Sequence, residues 1–528
     1  MSGIILEGPP DKNFIPEKSM GVIFYEGIKK WDSNRISITD TDNVQITYGK
    51  LLQLSVLLAK QLKNFGIKKN DVITIISHNH WKYLVTTLAG FYVGATVNPL
   101  NYDYTSGELK HFLSISKPVL VFCTSKTIGN ILPLKEESFY PTKLINYDKK
   151  TLYEATNFND FLENVDENES FTPIEVSPKE DVALILTSSG TTGLPKCVQL
   201  THFNFRTTMI CSGDPDFLGL NDTDNTIGFL PFFHIFGNAV GLASILYGTK
   251  FLILNKFNPE RFLNSIQQHK VTKLVIVPPI ILFLAKSPLV QKYDLSSVDD
   301  VISGAAPLTK ELEELAERTL KVKSIRQVYG MTEISGAVTM KPKYVKKYGT
   351  SGKATPTHRI KIVDVKTEEL LPPHEVGELR FKGDGVMKGY LGNATETEDA
   401  FDTEGFLKSG DLGYYDEEGY VYIVDRLKEI IKYKGFQVPP AELENLLLQH
   451  SGVKDAGVIG KPDERAGEVP IAFIVKQPNQ NVSEEELINY IAENMSAQKH
   501  LYGGVRFVEE IPKSTSGKIL RRKLKELL

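Results

Sequence analysis

TSSGTTGLPK, residues 187–196, is the most informative segment of the sequence. It directly follows DVALIL, a short apolar run typical of a buried strand. Its hydroxyl groups can donate to an anion, its glycines let backbone N–H groups turn towards that anion, and a lysine adds positive charge. The spacing differs from the G-x-x-x-x-G-K-[ST] loop of P-loop NTPases, and a solvated Ser/Thr turn is the weaker alternative for ten residues so constrained. The stretch therefore predicts a phosphate-binding loop of another kind, formed by Ser188, Ser189, Gly190, Thr191, Thr192, Gly193 and Lys196.

The composition describes a globular chain without a strong charge field. The 528 residues are 41% hydrophobic and 24% charged, and this length favours a large domain with at least one smaller unit. The formal net charge is only −4, so phosphate affinity must be local and nucleic acid is not expected as a partner. The cysteines, Cys123, Cys197 and Cys211, are odd in number and lack metal-ligand spacing, which indicates reduced thiols inside the cell.

Two apolar stretches could direct the chain to a membrane, and both are interpreted otherwise. The N-terminal run is broken at Glu7 and Pro9 before a signal peptide could form. Residues 83–102 carry no charge but contain Gly90, Gly94 and Pro99. We therefore predict a buried helix that runs into a strand, with no membrane span.

Outward from the loop, short apolar runs alternate with amphipathic helical stretches, which indicates layered α/β structure. Strands are predicted at DVITIIS (71–77), PVLVFCT (118–124), KLVIVPP (273–279) and VDDVISG (298–304). Thr47 and Thr309 are predicted N-caps of helices. After residue 344 the texture changes to alternating short strands that end in the hairpin YYDEEGYVYIVDR, residues 414–426.

A further compact, lysine-rich segment follows this hairpin. It has its own strands and helices, one of them opened by a capping box of Ser483 and Glu486. The predicted organisation is an α/β chain with a large N-terminal domain, residues 1–425, and a small α+β C-terminal domain, residues 426–528. Within the large domain, a small β-barrel-like subdomain is expected at about residues 345–425.

The loop has companions that together resemble one family. TSSGTTGLPK is similar to the signature of the adenylate-forming superfamily, which includes acyl-CoA synthetases, coumarate-CoA ligases, beetle luciferases and amino-acid-adenylating domains. Its companions follow in order: FLPFFHIFG (229–237), SGAAPL (303–308), YGMTE (329–333), KSGDLGYYDEEGYVYIVDRLKEIIKYKGFQV (408–438) and PKSTSGKILRR (512–522). The segments IKYKGFQVPPAELENLLLQH and LYGGVRFVEEIPK most resemble insect luciferases and their luciferase-like acyl-CoA synthetase relatives.

The resemblance implies an ATP- and Mg²⁺-dependent enzyme that activates a small-molecule carboxylic acid as an acyl-AMP. By it, Lys518 would bridge the carboxylate and the α-phosphate, Asp411 would grip the ribose, and Glu333 would hold Mg²⁺. Tyr329 would stack on adenine and Thr332 would reach the α-phosphate. The other nucleotide contacts that it implies are Gly304, Ala305, Ala306, Pro307, Gly330 and Arg426.

The acyl pocket and the second half-reaction also follow from the resemblance. His234 would lie beside the carboxylate, in a pocket lined by Phe233, Phe236, Gly304, Ala305, Gly330 and Ala337. Because these residues offer no counter-charge, a medium- to long-chain fatty acid is favoured. The mobile C-terminal domain would turn about a hinge at Asp425 and Lys428. That rotation would bring the residues for coenzyme A, Lys432, Lys434 and Gly435, to the acyl-AMP.

Several alternatives remain. A luciferase would share the adenylation step, but Gly213 and Gly336 replace an arginine and a serine of the beetle enzymes. An amino-acid-adenylating domain would need an aspartate where Phe232 and Phe233 stand, and the intact charged set argues against a non-catalytic binding protein. The protein is expected to be intracellular. Relatives often carry a Ser-Lys-Leu-type peroxisomal signal, which this sequence lacks at its end, so peroxisome and cytoplasm both stay open. The oligomeric state is left open.

Overall fold

The computed structural model describes residues 3–148, 154–163, 165–166, 168–188, 196–434, 436–514 and 517–528. Within these residues the strands are, in chain order, β1 (Leu6–Glu7), β2 (Ile36–Thr39), β3 (Gln45–Thr47), β4 (Val72–Ile76), β5 (Thr96–Leu100), β6 (Leu120–Cys123), β7 (Lys143–Asn146), β8 (Thr156–Asn157), β9 (Val182–Ser188), β10 (Lys196–Thr201), β11 (Asn225–Gly228), β12 (Lys250–Ile253), β13 (Lys273–Ile276), β14 (Asp300–Ser303), β15 (Ser324–Met331), β16 (Gly336–Met340), β17 (Lys353–Ala354), β18 (His358–Val363), β19 (Gly377–Gly383), β20 (Gly389–Tyr390), β21 (Leu407–Tyr415), β22 (Val421–Arg426), β23 (Ile431–Tyr433), β24 (Phe436–Val438), β25 (Val453–Asp463), β26 (Gly467–Lys476) and β27 (Val505–Phe507).

The helices agree with the predicted starts wherever one was assigned. Thr47 caps α2 by accepting from the Lys50 N–H, and Thr309 caps α11 by accepting from the Leu312 N–H. In chain order the helices are α1 (Met20–Ile28), α2 (Tyr48–Asn64), α3 (Trp81–Tyr92), α4 (Ser106–Ser116), α5 (Ser125–Ile131), α6 (Phe158–Phe161), α7 (His202–Gly213), α8 (Ile235–Leu246), α9 (Pro259–His269), α10 (Pro278–Lys286), α11 (Lys310–Leu320), α12 (Ala394–Asp399), α13 (Pro440–Leu447), α14 (Glu484–Asn494) and α15 (Arg521–Lys525).

One large sheet leads to the predicted phosphate loop. Its order is β20-β10-β9-β5-β4-β6-β7-β8, and its strands run parallel from β9 through β8. β9 and β10 are antiparallel neighbours, with Ser188 opposite Lys196. The two described ends of the loop therefore stand side by side at one edge of the sheet.

A second large sheet delivers two further motifs to the same region. Its order is β17-β16-β15-β14-β13-β11-β12-β2-β3, with a parallel centre from β15 to β2. β14 ends at Ser303, directly before the rest of SGAAPL, and β15 runs into YGMTE. Because parallel strands end at a common edge, these two motifs meet there.

The uncharged stretch 83–102 forms helix α3 and strand β5, as predicted, and both are buried. They pack in the main hydrophobic core with α1, α2 and α8. Among the described residues, none of the helices combines the length and apolar composition that a bilayer crossing requires.

The predicted antiparallel subdomain forms a sheet in the order β1-β18-β19-β21-β22. Its hairpin turns at Gly419, which has a φ of 79°. The pairing sets Asp411 on β21 opposite Arg426 on β22. β1, from the start of the chain, adds an edge strand that the sequence did not predict; the Ile4 N–H donates to the Tyr415 hydroxyl.

A small C-terminal domain completes the fold. Its sheet joins β24, β23, β26, β25 and β27, and α13 and α14 pack on it around a core of their own. Ser483 and Glu486 form the predicted capping box of α14. The layered large domain and the small α+β domain confirm the predicted fold class, while the exact boundary at residue 425 stays a prediction.

Candidate active site

A cavity of about 1970 Å³ lies where the two large sheets, the antiparallel sheet and the C-terminal domain meet. It gathers residues from motifs that are far apart in sequence. The predicted site residues that line it are Ser188, Lys196, His234, Phe236, Gly304, Ala305, Ala306, Pro307, Tyr329, Gly330, Thr332, Glu333, Ala337, Asp411, Asp425, Arg426, Lys428 and Lys518. Ser189, Gly190, Thr191, Thr192, Gly193 and Gly435 lie outside the described residues.

Asp411 is the buried carboxylate at one end of this cavity. The Tyr329 hydroxyl donates to its Oδ2 at 2.6 Å, and Arg426 Nε lies 3.4 Å from its Oδ1. Burial raises the pKa of Asp411, while the charges of Arg426 and Lys518 and the Tyr329 hydrogen bond oppose that rise. An acceptor of this kind, beside a tyrosine ring, suits the hydroxyls of a nucleoside.

Lys518 reaches the cavity from the C-terminal domain. Burial and repulsion from Arg426 lower its pKa, whereas the negative charges of Asp411, Glu333 and Glu429 raise it. The net effect is a lowered pKa, although the charges of three carboxylates act on this amine. The domain orientation is one in which the lysine faces the large domain, as adenylation would require.

His234 stands at the N-terminus of α8, beside the same lysine. Burial lowers its pKa to about 4, and the charge of Lys518 adds to that effect. The imidazole is therefore neutral at pH 7. It can exchange hydrogen bonds with a substrate carboxylate but brings no charge to it.

Glu333 fits the predicted magnesium contact. It is buried, and the Tyr390 hydroxyl donates to its Oε1 at 3.2 Å. The described residues contain no cluster of three or more His, Cys, Asp or Glu side chains that could hold a metal. Mg²⁺ commonly uses one or two carboxylates and completes its shell with waters and phosphate oxygens. Glu333, a single carboxylate in this cavity, is consistent with that mode of Mg²⁺ binding.

Lys196, at the start of β10, is held in place beside the cavity. Its Nζ lies 2.8 Å from Glu396 Oε2 and 4.6 Å from the centroid of the Tyr390 ring. Tyr390 thus contacts both Lys196 and Glu333. The positive charge at the end of the phosphate loop is oriented before any ligand arrives.

Backbone geometry is tight where the second sheet meets the cavity. A Cβ at Gly330 would lie 1.7 Å from the Gly336 carbonyl oxygen, so only glycine fits in YGMTE. Ala305 has a φ of 70°, a left-handed conformation that is sparsely populated outside glycine. Such conformations concentrate at ligand sites, and both residues line this cavity.

The part of the cavity that is lined by α7, the residues just after it, α8 and β16 is here called the apolar arm. Nothing along this arm is charged among the described residues that line it, which are Thr208, Cys211, Ser212, Leu218, Ile235, Phe236, Ala239, Val240, Gly336, Ala337 and Met340. The polar members bond within the protein: the Ser212 hydroxyl donates to the Thr208 carbonyl at 2.7 Å, and the Thr208 hydroxyl donates to the Ser335 carbonyl. The arm is suited to an uncharged acyl or aryl group.

The structure does not bring Phe233 to this cavity. Its ring is buried and packs edge-on against Tyr102, with the centroids 5.6 Å apart. The Phe233 ring lies 4.6 Å from the His234 ring, centroid to centroid, but only His234 lines the cavity. The assignment of Phe233 to the acyl pocket is corrected accordingly.

The sequence analysis missed several lining residues. Ala239 and Val240 follow Phe236 by three and four positions on α8, so helical spacing could have identified them. Glu429 and Arg521 also line the cavity. No local pattern marks these two, because they are 92 residues apart.

Lys432 and Lys434 lie on the exposed hairpin of β23 and β24, and Lys432 donates its backbone N–H to Glu468 Oε2 at 2.8 Å. Neither lines the cavity that Lys518 occupies. Their assignment to coenzyme A thus requires another domain orientation and stays a prediction.

Asp425 joins the two domains at the predicted hinge. It belongs to β22 of the large domain, and its Oδ2 accepts from the Ala441 N–H of α13 at 3.0 Å. Burial raises its pKa to about 6 from the ordinary 3.8. The hydrogen bond between the domains is therefore accepted by a carboxylate, Asp425, whose ionisation is disfavoured by burial.

We expect this group to impose a pH dependence on stability. Because the folded protein holds the Asp425 proton up to about pH 6, the free energy of unfolding should fall as the pH rises from about 4 to 6. Asp425→Asn should remove this component, which amounts to at most about 3 kcal/mol. Urea unfolding of both proteins at pH 4, 5 and 7 measures it.

Asp416→Asn provides the opposite control. Hydrogen bonds from Lys347 and Tyr420 outweigh burial and lower the pKa of Asp416, so its contribution is lost as the pH falls. Equal pH dependence of wild type and Asp425→Asn would contradict the argument.

The fold and the site together define an ATP-dependent adenylate-forming enzyme. The chain belongs to the AMP-binding enzyme family: the AMP-binding enzyme model matches residues 24–391, and the model of the AMP-binding enzyme C-terminal domain matches residues 442–518.

Relatives in this family include both luciferases and CoA ligases. Luciferin 4-monooxygenase of Nipponoluciola cruciata is 39% identical over 533 residues, which covers 99% of this chain and 97% of that protein. 4-Coumarate–CoA ligase 3 of Arabidopsis thaliana is 39% identical over 490 residues, covering 91% of this chain and 86% of that protein. The crystal structure of ATP-bound MatB from Rhodopseudomonas palustris superposes with a TM-score of 0.87 at 27% identity, covering 96% of this chain and 98% of that one.

Proposed function

We propose that this protein is an acid–thiol ligase that forms an acyl-AMP from ATP and a medium- to long-chain fatty acid and then transfers the acyl group to coenzyme A. The observation that carries the adenylation step is the meeting of Lys518 with Asp411, Arg426 and His234 in one cavity. A mobile cation in a nucleotide site, next to an apolar arm, is what the first half-reaction needs.

In that half-reaction a carboxylate oxygen bonds to the α-phosphorus of ATP as the bond to the pyrophosphate oxygen breaks. Both reactants are negative, so Lys518 and Arg426 would lower their repulsion, and neutral His234 would orient the carboxylate. Mg²⁺, held by Glu333 and phosphate oxygens, would neutralise charge on pyrophosphate. In the second half-reaction the thiolate sulfur bonds to the acyl carbon and AMP leaves with the electrons of the broken bond; Lys432, Lys434 and Gly435 are the candidates to receive coenzyme A.

The fatty acid is inferred from the uncharged arm. A second carboxylate or an ammonium on the substrate would be buried there without a partner, which is costly. Long apolar tails, by contrast, gain about 0.8 kcal/mol for each buried methylene.

Ala337→Leu is expected to shorten the acids that the enzyme accepts. Ala337 is only half-buried on β16, so a larger side chain would extend into the arm and not into the core. We expect kcat/KM for dodecanoate to fall about tenfold or more while that for hexanoate changes little, since each excluded methylene costs about 0.8 kcal/mol. Ala337→Ser is the size-matched control, and an equal loss for both acids would refute the position of the tail.

ATP–pyrophosphate exchange over a panel of acids tests the proposal. Fatty acids of graded length, 4-coumarate and firefly luciferin are each supplied with and without coenzyme A, and AMP release and photons are recorded together. If coenzyme A stimulates AMP release with a fatty acid, the result supports the ligase. If the acids support exchange but coenzyme A stimulates AMP release with none of them, the result contradicts it.

A luciferase is the second candidate, supported by the 39% identity to luciferin 4-monooxygenase over nearly the whole chain. The packing around Gly213 argues against a luciferin site of the beetle type, because the beetle enzymes have an arginine where this chain has Gly213. A Cβ at Gly213 would lie 2.3 Å from the Tyr247 ring, and the Tyr247 hydroxyl donates to the Met209 carbonyl. There is no room for a larger side chain, and light with firefly luciferin would overturn this reading.

A further inference from the structure

Lys518 lies on a loop that is closed at its base. The Leu520 N–H donates to the Pro512 carbonyl at 2.8 Å, and Lys513 bridges to Ile519. Inside the loop, the Ser514 N–H donates to the Lys518 carbonyl at 2.8 Å, and the Lys518 N–H donates to Ser514 Oγ at 3.1 Å. The position of the lysine therefore depends on where this base is anchored.

Arg521 anchors the base. It follows Leu520 directly, its side chain is only 13% exposed, and its Nε donates to Glu429 Oε2 at 2.9 Å. On its other side Nη1 and Nη2 contact the two carboxylate oxygens of Glu444 on α13. A planar guanidinium held by two carboxylates fixes direction as well as distance.

The partner Glu429 belongs to the segment that connects the domains. Its N–H donates to the Arg426 carbonyl at 2.9 Å, and the Leu427 N–H donates to the Gly410 carbonyl of the large domain at 2.8 Å. Glu429 thus sits on a turn tied to the strand that carries Asp411. An ion pair from this turn to Arg521 connects the nucleotide end of the cavity with the loop of Lys518.

We propose that Arg521 is a positioning residue for adenylation, which clamps the Lys518 loop to Glu429 of the interdomain turn and to Glu444 of α13. This proposal rests on the proposed function, because it assumes that Lys518 acts in acyl-AMP formation and not in thioester formation. The donors of the Arg521 guanidinium are taken up by Glu429 and Glu444, so its effect on adenylation would pass through the position of Lys518. Its loss should therefore slow acyl-AMP formation far more than the use of acyl-AMP made beforehand.

Measuring the two half-reactions separately tests the clamp. Decanoic acid is the probe for ATP–pyrophosphate exchange, and synthetic decanoyl-AMP with coenzyme A is the probe for thioester formation. Arg521→Met should lower exchange about 100-fold, because small misplacements of a catalytic group cost about that much. Thioester formation should stay within about threefold of wild type, and Arg521→Lys should recover part of the exchange.

Arg522→Met is the matched control, since Arg522 is 93% exposed and lies 3.9 Å from Glu526. Glu429→Gln keeps the Glu444 contact and should lower exchange about tenfold; it decides the question if Arg521→Met does not fold. Equal loss of both half-reactions in Glu429→Gln, or unchanged exchange in it, would overturn the proposal.

Hydrogen–deuterium exchange gives a readout that needs no turnover. The amides of Ser514, Lys518 and Leu520, whose hydrogen bonds close the loop, should exchange faster in Arg521→Met than in wild type and in Arg522→Met. Unchanged protection would overturn the clamp. Two results together would count against the proposed function and not against the clamp. These are a wild-type protein that activates no acid and an Arg521→Met variant whose loop exchanges faster.

Discussion

Lys518→Ala is expected to lower ATP–pyrophosphate exchange by about 10²- to 10³-fold, the usual effect of removing one preorganised donor from a developing charge. The side chain is a cation that the C-terminal domain contributes to the cavity, where the charges of Asp411, Glu333 and Glu429 act on it. Thioester formation from supplied acyl-AMP should remain largely intact, because the second half-reaction is assigned to Lys432 in another domain orientation. Exchange and single-turnover thioester assays measure the two steps.

Lys523→Ala is the companion control, because that lysine is exposed on α15, the short helix that begins three residues after Lys518. It should leave both steps unchanged. If Lys518→Ala lost both half-reactions together, the division of labour between the two lysines would be refuted.

Asp411→Asn should weaken ATP use by about 100-fold or more. Hydrogen bonds to a charged acceptor contribute about 1.5–3 kcal/mol each, and two ribose hydroxyls would lose theirs. The change also leaves Arg426 without the carboxylate that lies 3.4 Å from its Nε. The KM for ATP and the maximal exchange rate, measured together with thermal unfolding, separate binding from stability.

Tyr329→Phe is the milder partner of that experiment. It removes the 2.6 Å hydrogen bond to Asp411 but keeps the aromatic face and the negative charge. We expect a smaller loss, confined to the KM for ATP. An Asp411→Asn enzyme with normal affinity for ATP would contradict the assignment of this carboxylate to the ribose.

Much of the fold follows from local signals in the sequence. Thr47, Thr309 and Ser483 cap helices where their side chains predict it, because capping depends on three or four consecutive residues. The sequence also predicts strands before the motifs at the ends of β9 and β14. It does not predict β15, whose parallel pairing with β14 brings SGAAPL and YGMTE together.

What the sequence could not supply depends on contacts between distant residues. The clamp of Arg521 on Glu429 joins positions 92 apart, and nothing near either residue predicts it. The direction of the Phe233 ring depends on how the turn before α8 meets Tyr102. The pairing of β1 with β18 joins residues more than 350 positions apart, so no local pattern could reveal it.

That edge strand has a practical consequence for handling the protein. β1 forms one edge of the antiparallel sheet, and Asp411 and Arg426 lie on the two strands at the opposite edge. If proteolysis or a bulky fusion pulled these few residues away, β18 would present unpaired backbone groups, which invite other chains to associate. Purification tags at this end therefore need a long, flexible spacer, and a nicked preparation should lose solubility before it loses its nucleotide pocket.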